Sequence, residues 1–192
     1  PTHLSQTEIW SVVERVNPNK DVDGLHPFNQ GLIAHSNDSI FRPARGFIAC
    51  TPLGCLKLLT DYLGDLSGLK AVVVGRSRIV GSPMAQLLTR ANATVTLCHS
   101  RTRNLRQHLK TADIIIAAAG IPHLITADDV CEGAVVIDVG IHRLENGRLC
   151  GDVDFESVSQ KVKALSPVPG GVGPMTIASL MNNVCLAAER TY

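Results

Sequence analysis

At 192 residues, 45% of them hydrophobic and 18% charged, the chain can bury one substantial core and part of a second. Its formal net charge of +1 argues against a general nucleic-acid binder. No apolar stretch approaches the roughly 20 residues needed to cross a bilayer, so neither nucleic acid nor membrane is an expected partner.

The first stretch, Pro1 to Val16, predicts a short amphipathic helix with Ile9, Val12, Val13 and Val16 on one face and Ser5 or Thr7 as N-cap. Asn17 to Pro27 (NPNKDVDGLHP) follows, where Asn-Pro and Asp-Gly mark turns. On local sequence alone Asp23 reads as a plain turn aspartate. Phe28 to Phe47 reads as a short helix and then a loop. Thr51-Pro52 predicts a helix start, N-cap then proline at the first helical position, and Leu53, Leu56, Leu59 and Leu63 continue as one stripe to Gly64.

Lys70 to Ala85 (KAVVVGRSRIVGSPMA) organises what comes next. Ala71 to Val74 is a continuous β-branched run of the kind buried on both faces of a parallel sheet. Gly75 and Gly81 bracket a turn before a helix whose face is Met84, Leu87, Leu88 and Ala91. Small residues there let the backbone approach a pyrophosphate, and the free N–H groups of the helix start would bind its charge. Ser77 stands where the second glycine of G-x-G-x-x-G would be, and a purely structural turn is the alternative. From Lys70 to Lys110 the chain carries eight basic residues and no acidic one, which suits a polyanionic ligand or, alternatively, a solvated surface. The second strand, Thr94 to His99, ends without the Asp or Glu of an NAD site; Ser100, Arg101 and Thr102, with Arg76 and Ser77, offer donors to a 2′-phosphate, so NADP is expected over NAD.

Asn104 to Lys110 predicts a short helix, Asp113 to Ala118 a third strand, Thr126 the cap of a brief helix, and Ala134 to Val139 a fourth strand. A weaker strand, Arg148 to Val153, and a helix, Phe155 to Val162, follow. Strands and helices alternating at this spacing predict an α/β, Rossmann-like parallel sheet with right-handed crossovers. Ser166 to Ala178 (SPVPGGVGPMTIA) forms a shaped loop leading into a helix at Pro174, whose apolar face of Ile177, Met181, Val184, Cys185 and Ala188 must pack on something. The six cysteines show no C-x-x-C and no metal spacing; they read as reduced thiols of a cytoplasmic protein, with a mitochondrial compartment left open and no metal expected.

KDVDG at Lys20, CTPLG at Cys50, VVVGRSRIVGSPM at Val72, ATVTLCHSRT at Ala93, VIDVGI at Val136, GDVDF at Gly151 and PVPGGVGPMT at Pro167 together resemble the bifunctional methylenetetrahydrofolate dehydrogenase/cyclohydrolase family. The resemblance implies NADP-dependent oxidation of methylene-tetrahydrofolate to the methenyl form, its hydrolysis to formyl-tetrahydrofolate, and a homodimer. It carries NADP contacts to Gly75, Arg76, Ser77, Ser100 and Ile141, and a catalytic, pterin-orienting aspartate to Asp23. It carries a folate-site loop to Pro169, Gly170, Gly171, Val172, Gly173, Pro174, Met175, Thr176 and Ile177. It further implies a partial catalytic domain over 1–50, an NADP domain over 51–168, and a folate-site loop and helix over 169–192 that return to the catalytic domain.

The family's Tyr-x-x-x-Lys motif is absent, and Pro1 matches the last proline of its Leu-Pro-Leu-Pro segment. The chain is therefore expected to be the larger part of a longer enzyme, with apolar surface on the last helix and on Leu53 to Leu63 left exposed. A short NADP-binding module without catalysis is the alternative of another class. A Rossmann oxidoreductase of small hydroxy acids is a third, which leaves Asp23 and the PGGVGPMT segment without a use.

Overall fold

The computed structural model describes residues 5–35 and 39–190. Among them the strands are β1 (Lys70–Val74), β2 (Thr94–Cys98), β3 (Ile114–Ala117), β4 (Val135–Asp138), β5 (His142–Arg143), β6 (Leu149–Cys150) and β7 (Ala164–Leu165). The helices are α1 (Gln6–Val13), α2 (Pro27–His35), α3 (Cys50–Leu63), α4 (Gly81–Arg90), α5 (Leu105–Leu109), α6 (Phe155–Val158) and α7 (Val172–Glu189). Five strands form one sheet in the order β2-β1-β3-β4-β7, every pair parallel, and β5 and β6 form a separate antiparallel hairpin. The expected α/β, Rossmann-like sheet is present.

Alternation along the central strands divides the core. Ala71 and Val73 of β1, with Ile114 and Ile116 of β3, point into a cluster with Leu56 and Leu59 of α3 and Met84, Leu87 and Leu88 of α4. Val72, Val74, Ile115 and Ala117 point the other way, onto Leu109 of α5, Ile125, Val130 and Val158 of α6. A strand buried on both faces has no polar side to show, which is why these runs carry none.

Several boundaries differ from expectation. The first helix starts at the expected cap, Ser5, whose Oγ accepts the Glu8 N–H at 3.3 Å while the Glu8 carboxylate accepts the Ser5 N–H at 2.7 Å, but it spans only Gln6–Val13 and stops short of Val16. Residues 1–4 lie outside the described part, and Val12 and Val16 of the predicted apolar face are exposed. Helix α3 begins at Cys50, not at Pro52; its N-cap is Ala49, and the Asp23 carbonyl accepts the Cys50 N–H at 3.3 Å. A tertiary acceptor thus replaces the side-chain cap that Thr51 was expected to supply. Thr126 caps no helix: its N–H and hydroxyl both donate to Asp129 Oδ2, which closes a turn. The Arg148 to Val153 strand shrinks to β6, and α6 stops at Val158.

The last helix begins at Val172, so Pro174 lies inside its first turn. It packs along α3, but with Val172, Ser179, Asn183 and Leu186 buried. Ile177, Met181, Val184, Cys185 and Ala188, expected to be the packing face, are all exposed. Leu53, Leu56 and Leu59 of α3 are buried, so the expected exposure falls on α7 and not on that stripe.

Ile115 is fully buried at the centre of the sheet, paired with Val72 and Val136. Ile115→Ala is expected to lower unfolding free energy by about 2–5 kcal/mol in urea titration, the range for a cavity in a close-packed core.

Candidate functional site

The chain reverses at the end of β1 through a turn that only glycines permit. Gly75 sits at φ 120°, and a Cβ there would run into the Ala118 carbonyl beyond β3. A Cβ on Gly81, at the start of α4, would in turn run into the Gly75 carbonyl. Strand, turn and helix therefore meet at backbone distance.

Ser77 holds this turn in shape. Its Oγ accepts the N–H groups of Val80 at 3.1 Å and Gly81 at 3.3 Å, and its carbonyl accepts that of Ser82 at 3.0 Å. The expectation that free N–H groups of the helix start receive a pyrophosphate is corrected here: three of them are engaged by Ser77. A second turn stands at the end of β2, where Thr102 Oγ1 accepts the His99 N–H at 2.8 Å and His99 Nδ1 accepts the Arg101 N–H at 3.1 Å. Ser100 is exposed at its tip.

A cavity of about 360 Å³ lies between these turns, lined by Gly75, Arg76, Ser77, Ser100 and Thr102 and by Ala119 and Ile121 after β3. No carboxylate lines it among the described residues. Ile141, expected beside these residues, does not line it; 67% exposed, it stands on the neighbouring loop after β4. A larger cavity of about 690 Å³ lies on the other side of the 76–79 loop, against Trp10 and Glu14. Arg78 faces that side, its guanidinium 4.8 Å from the Trp10 ring centroid, while its carbonyl accepts Gln30 Nε2 at 2.7 Å. Arg76 borders both cavities.

Asp23 occupies a second centre. It is exposed, whereas Asp21 is buried and its carboxylate accepts the N–H groups of Leu25 and His26 and the Asn29 amide. The turn around Asp21 is thus the structural one, and Asp23 is left facing out. Gly24 follows at φ 71°, against the backbone of Ile48 and Ala49. From α7, Asn183 donates to the carbonyls of Val22 at 2.8 Å and Ile48 at 3.0 Å, and Thr176 Oγ1 lies 3.1 Å from Thr51 Oγ1 on α3. The structure therefore brings the Asp23 turn, the α3 start and the first turns of α7 together. The stretch expected as a loop over Pro169 to Ile177 divides: Pro169, Gly170 and Gly171 are loop, and Val172 to Ile177 are helix.

Sequence reasoning missed Cys50 and Asn183 at this centre, and a pair of buried aspartates, Asp138 and Asp152, beside the first. A lone acid within an apolar run (VVIDVG) was the available signal for Asp138, because buried carboxylates persist only with partners. Burial pushes the Cys50 thiol up to about 12, and the Asp23 carboxylate beside it pushes in the same direction. Burial also pushes Cys55 up to about 12. At pH 8 such thiols are ionised in only about one molecule in ten thousand. Iodoacetamide at that pH is expected to label exposed Cys185 and to spare Cys50 and Cys55 until denaturant is added, read by peptide mass spectrometry.

Residues 49–192 match the family model described as the tetrahydrofolate dehydrogenase/cyclohydrolase NAD(P)-binding domain. The bifunctional protein FolD of Bacillus subtilis is 52% identical over 191 residues, covering all of this chain and 64% of the relative. That of Campylobacter curvus is 54% identical over 189 residues, covering 98% of this chain and 62% of the relative. Among solved structures, the FolD methylenetetrahydrofolate dehydrogenase/cyclohydrolase of Campylobacter jejuni superposes with a TM-score of 0.88 at 48% identity, covering 99% of this chain and 64% of that one. The Trypanosoma brucei enzyme complexed with NADP cofactor and inhibitor superposes with a TM-score of 0.89 at 34% identity, covering all of this chain and 64% of that one. The chain thus spans less than two thirds of the length of these relatives. It belongs to the tetrahydrofolate dehydrogenase/cyclohydrolase family.

Proposed function

We propose that the chain supplies the NADP site and the pterin-orienting aspartate of a methylenetetrahydrofolate dehydrogenase/cyclohydrolase acting in one-carbon folate metabolism. The observation that carries this reading is the cavity at the ends of β1 and β2, where Gly75, Arg76, Ser77 and Ser100 converge with no carboxylate among the lining residues. An arginine and two hydroxyls suit a 2′-phosphate, whereas an NAD site wants an acid for the ribose hydroxyls. The Trypanosoma brucei relative, which is complexed with NADP cofactor, supports the same choice.

A bound NADP would supply a hydride acceptor for the methylene carbon of the folate. The chain's residues do the rest of the work assigned to them here. Arg76 and Ser100 hold the 2′-phosphate, the glycine turn admits the pyrophosphate, and Asp23, the one exposed carboxylate of its turn, accepts hydrogen bonds from the pterin ring. Pro169 to Ile177 borders the same place through the Thr176–Thr51 contact. The division into 1–50, 51–168 and 169–192, the homodimer and the cytoplasmic location belong to this reading. A cofactor-binding module without turnover of its own is the second reading, in which the positioned acid/base group that contributes about a hundred- to ten-thousandfold has no part. Absorbance-detected NADP reduction with methylene-tetrahydrofolate separates the two: turnover supports the first, and binding without turnover the second.

Arg76→Ala is expected to weaken NADP about ten- to a hundredfold while changing NAD affinity little, because a charge-assisted hydrogen bond contributes about 1.5–3 kcal/mol. Equal losses for both cofactors in calorimetric titration would sink the 2′-phosphate assignment. Asp23→Ala is expected to weaken folate binding about tenfold or more at unchanged NADP affinity; a matching drop in NADP affinity or melting temperature would return Asp23 to a turn role.

A further inference from the structure

Asp138 and Asp152 are buried, 4% and 0% exposed, and the reading above gives them no part. Asp152 Oδ2 accepts the N–H groups of Ala119 at 2.5 Å and Gly120 at 2.9 Å. Its Oδ1 accepts the Ile121 N–H at 3.0 Å and lies 2.7 Å from His142 Nε2, which carries the hydrogen against a carboxylate. Asp138 in turn accepts the N–H groups of Gly140, Asp152 and Val153 at 2.9–3.0 Å. Gly140 and Gly151 leave no room for a Cβ, which would strike the carboxylates of Asp152 and Asp138 respectively. Burial pushes the Asp138 carboxyl up and its three backbone donors pull it back, as a hydrogen-bonded carboxylate requires.

One carboxylate thus fastens two loops. Ala119 and Ile121 line the 360 Å³ cavity, and His142 follows the exposed Ile141 directly. Asp152 itself does not line that cavity, so it acts through the backbone it holds. The sheet order places β2 on one side of β1, and β3 and β4 on the other. A dinucleotide read at its adenosine end by Arg76 and Ser100, and crossing the glycine turn of β1, lays its other half over the loops that follow β3 and β4. Those are the two loops that Asp152 ties together.

We propose, resting on the NADP reading above, that Asp152 is a positioning residue for the nicotinamide half of the cofactor, fixing residues 119–121 and 141 as one wall. Asp152→Asn turns an amide N–H₂ against backbone N–H groups and loosens that wall, while the adenosine end keeps Arg76, Ser77 and Ser100.

The test is calorimetric titration of wild type and Asp152→Asn with NADP and with adenosine 2′,5′-bisphosphate, which carries the adenosine end alone. The expected result is a loss of about tenfold or more for NADP, with the bisphosphate bound as by wild type. Unchanged NADP affinity, or equal losses for the two ligands, overturns the proposal, since a general loss of structure does not distinguish them. His142→Leu removes one Asp152 partner from a largely buried position without touching the backbone donors; if Asp152→Asn does not fold, the same split of smaller size is expected from it, and no split overturns the proposal. A wild-type chain that binds neither ligand overturns the nucleotide reading itself, a result distinct from the loss of the split.

Discussion

The end of β1 is where the structure has the least freedom. Gly75 and Gly81 are stacked so that each lies against a carbonyl, of Ala118 and of Gly75 respectively, with space for hydrogen and nothing larger. The parallel register of β1 with β3 depends on the first contact, and the closeness of α4 to the sheet depends on the second. With both in place, the ends of β1 and β2 and the segment after β3 face one cavity. The second glycine of the common dinucleotide pattern is replaced by a serine that spends its hydroxyl on the helix start, so this turn is held by a side chain as well as by close approach.

The frame was legible in the sequence for a simple reason. Residues 71–74, 114–117 and 135–137 are buried on both faces, and a doubly buried strand is written in β-branched or small apolar residues, with Asp138 the one acid at such a strand's end. Strands of two residues have no period, so β5 and β7 left no trace, and β6 was read too long. The starts of α3 and α7 were misplaced because their first turns are completed by tertiary contact: Cys50 by the Asp23 carbonyl, and α7 by its packing on α3. The candidate site was legible where it consists of a local motif, at Gly75 to Ser77 and Ser100. It was not legible where it depends on partners far along the chain, as Asp152 depends on Ala119 to Ile121.

Within this chain α7 packs on a side that its apolar periodicity does not mark. Its apolar residues occupy more than one side, and the side that packs is marked by Ser179 and Asn183. The Asn183 amide donates to the carbonyls of Val22 and Ile48; an aliphatic side chain there would leave the Val22 carbonyl only the weak Cys50 thiol donor. Turning Ile177, Met181 and Val184 inward instead would swing that amide away from both carbonyls.

Trp10 is the sole tryptophan of the chain, and the Arg78 guanidinium lies over its ring from the same loop that carries Arg76 and Ser77. A cation held against an indole, in a setting half open to water, alters the energy and lifetime of its excited state. Tryptophan emission from this chain, excited where tyrosine does not absorb, therefore originates beside one loop, and moving Arg78 off the ring is expected to change its colour or intensity. The chain carries its own optical reporter, at the place where a chemist would otherwise have to attach one.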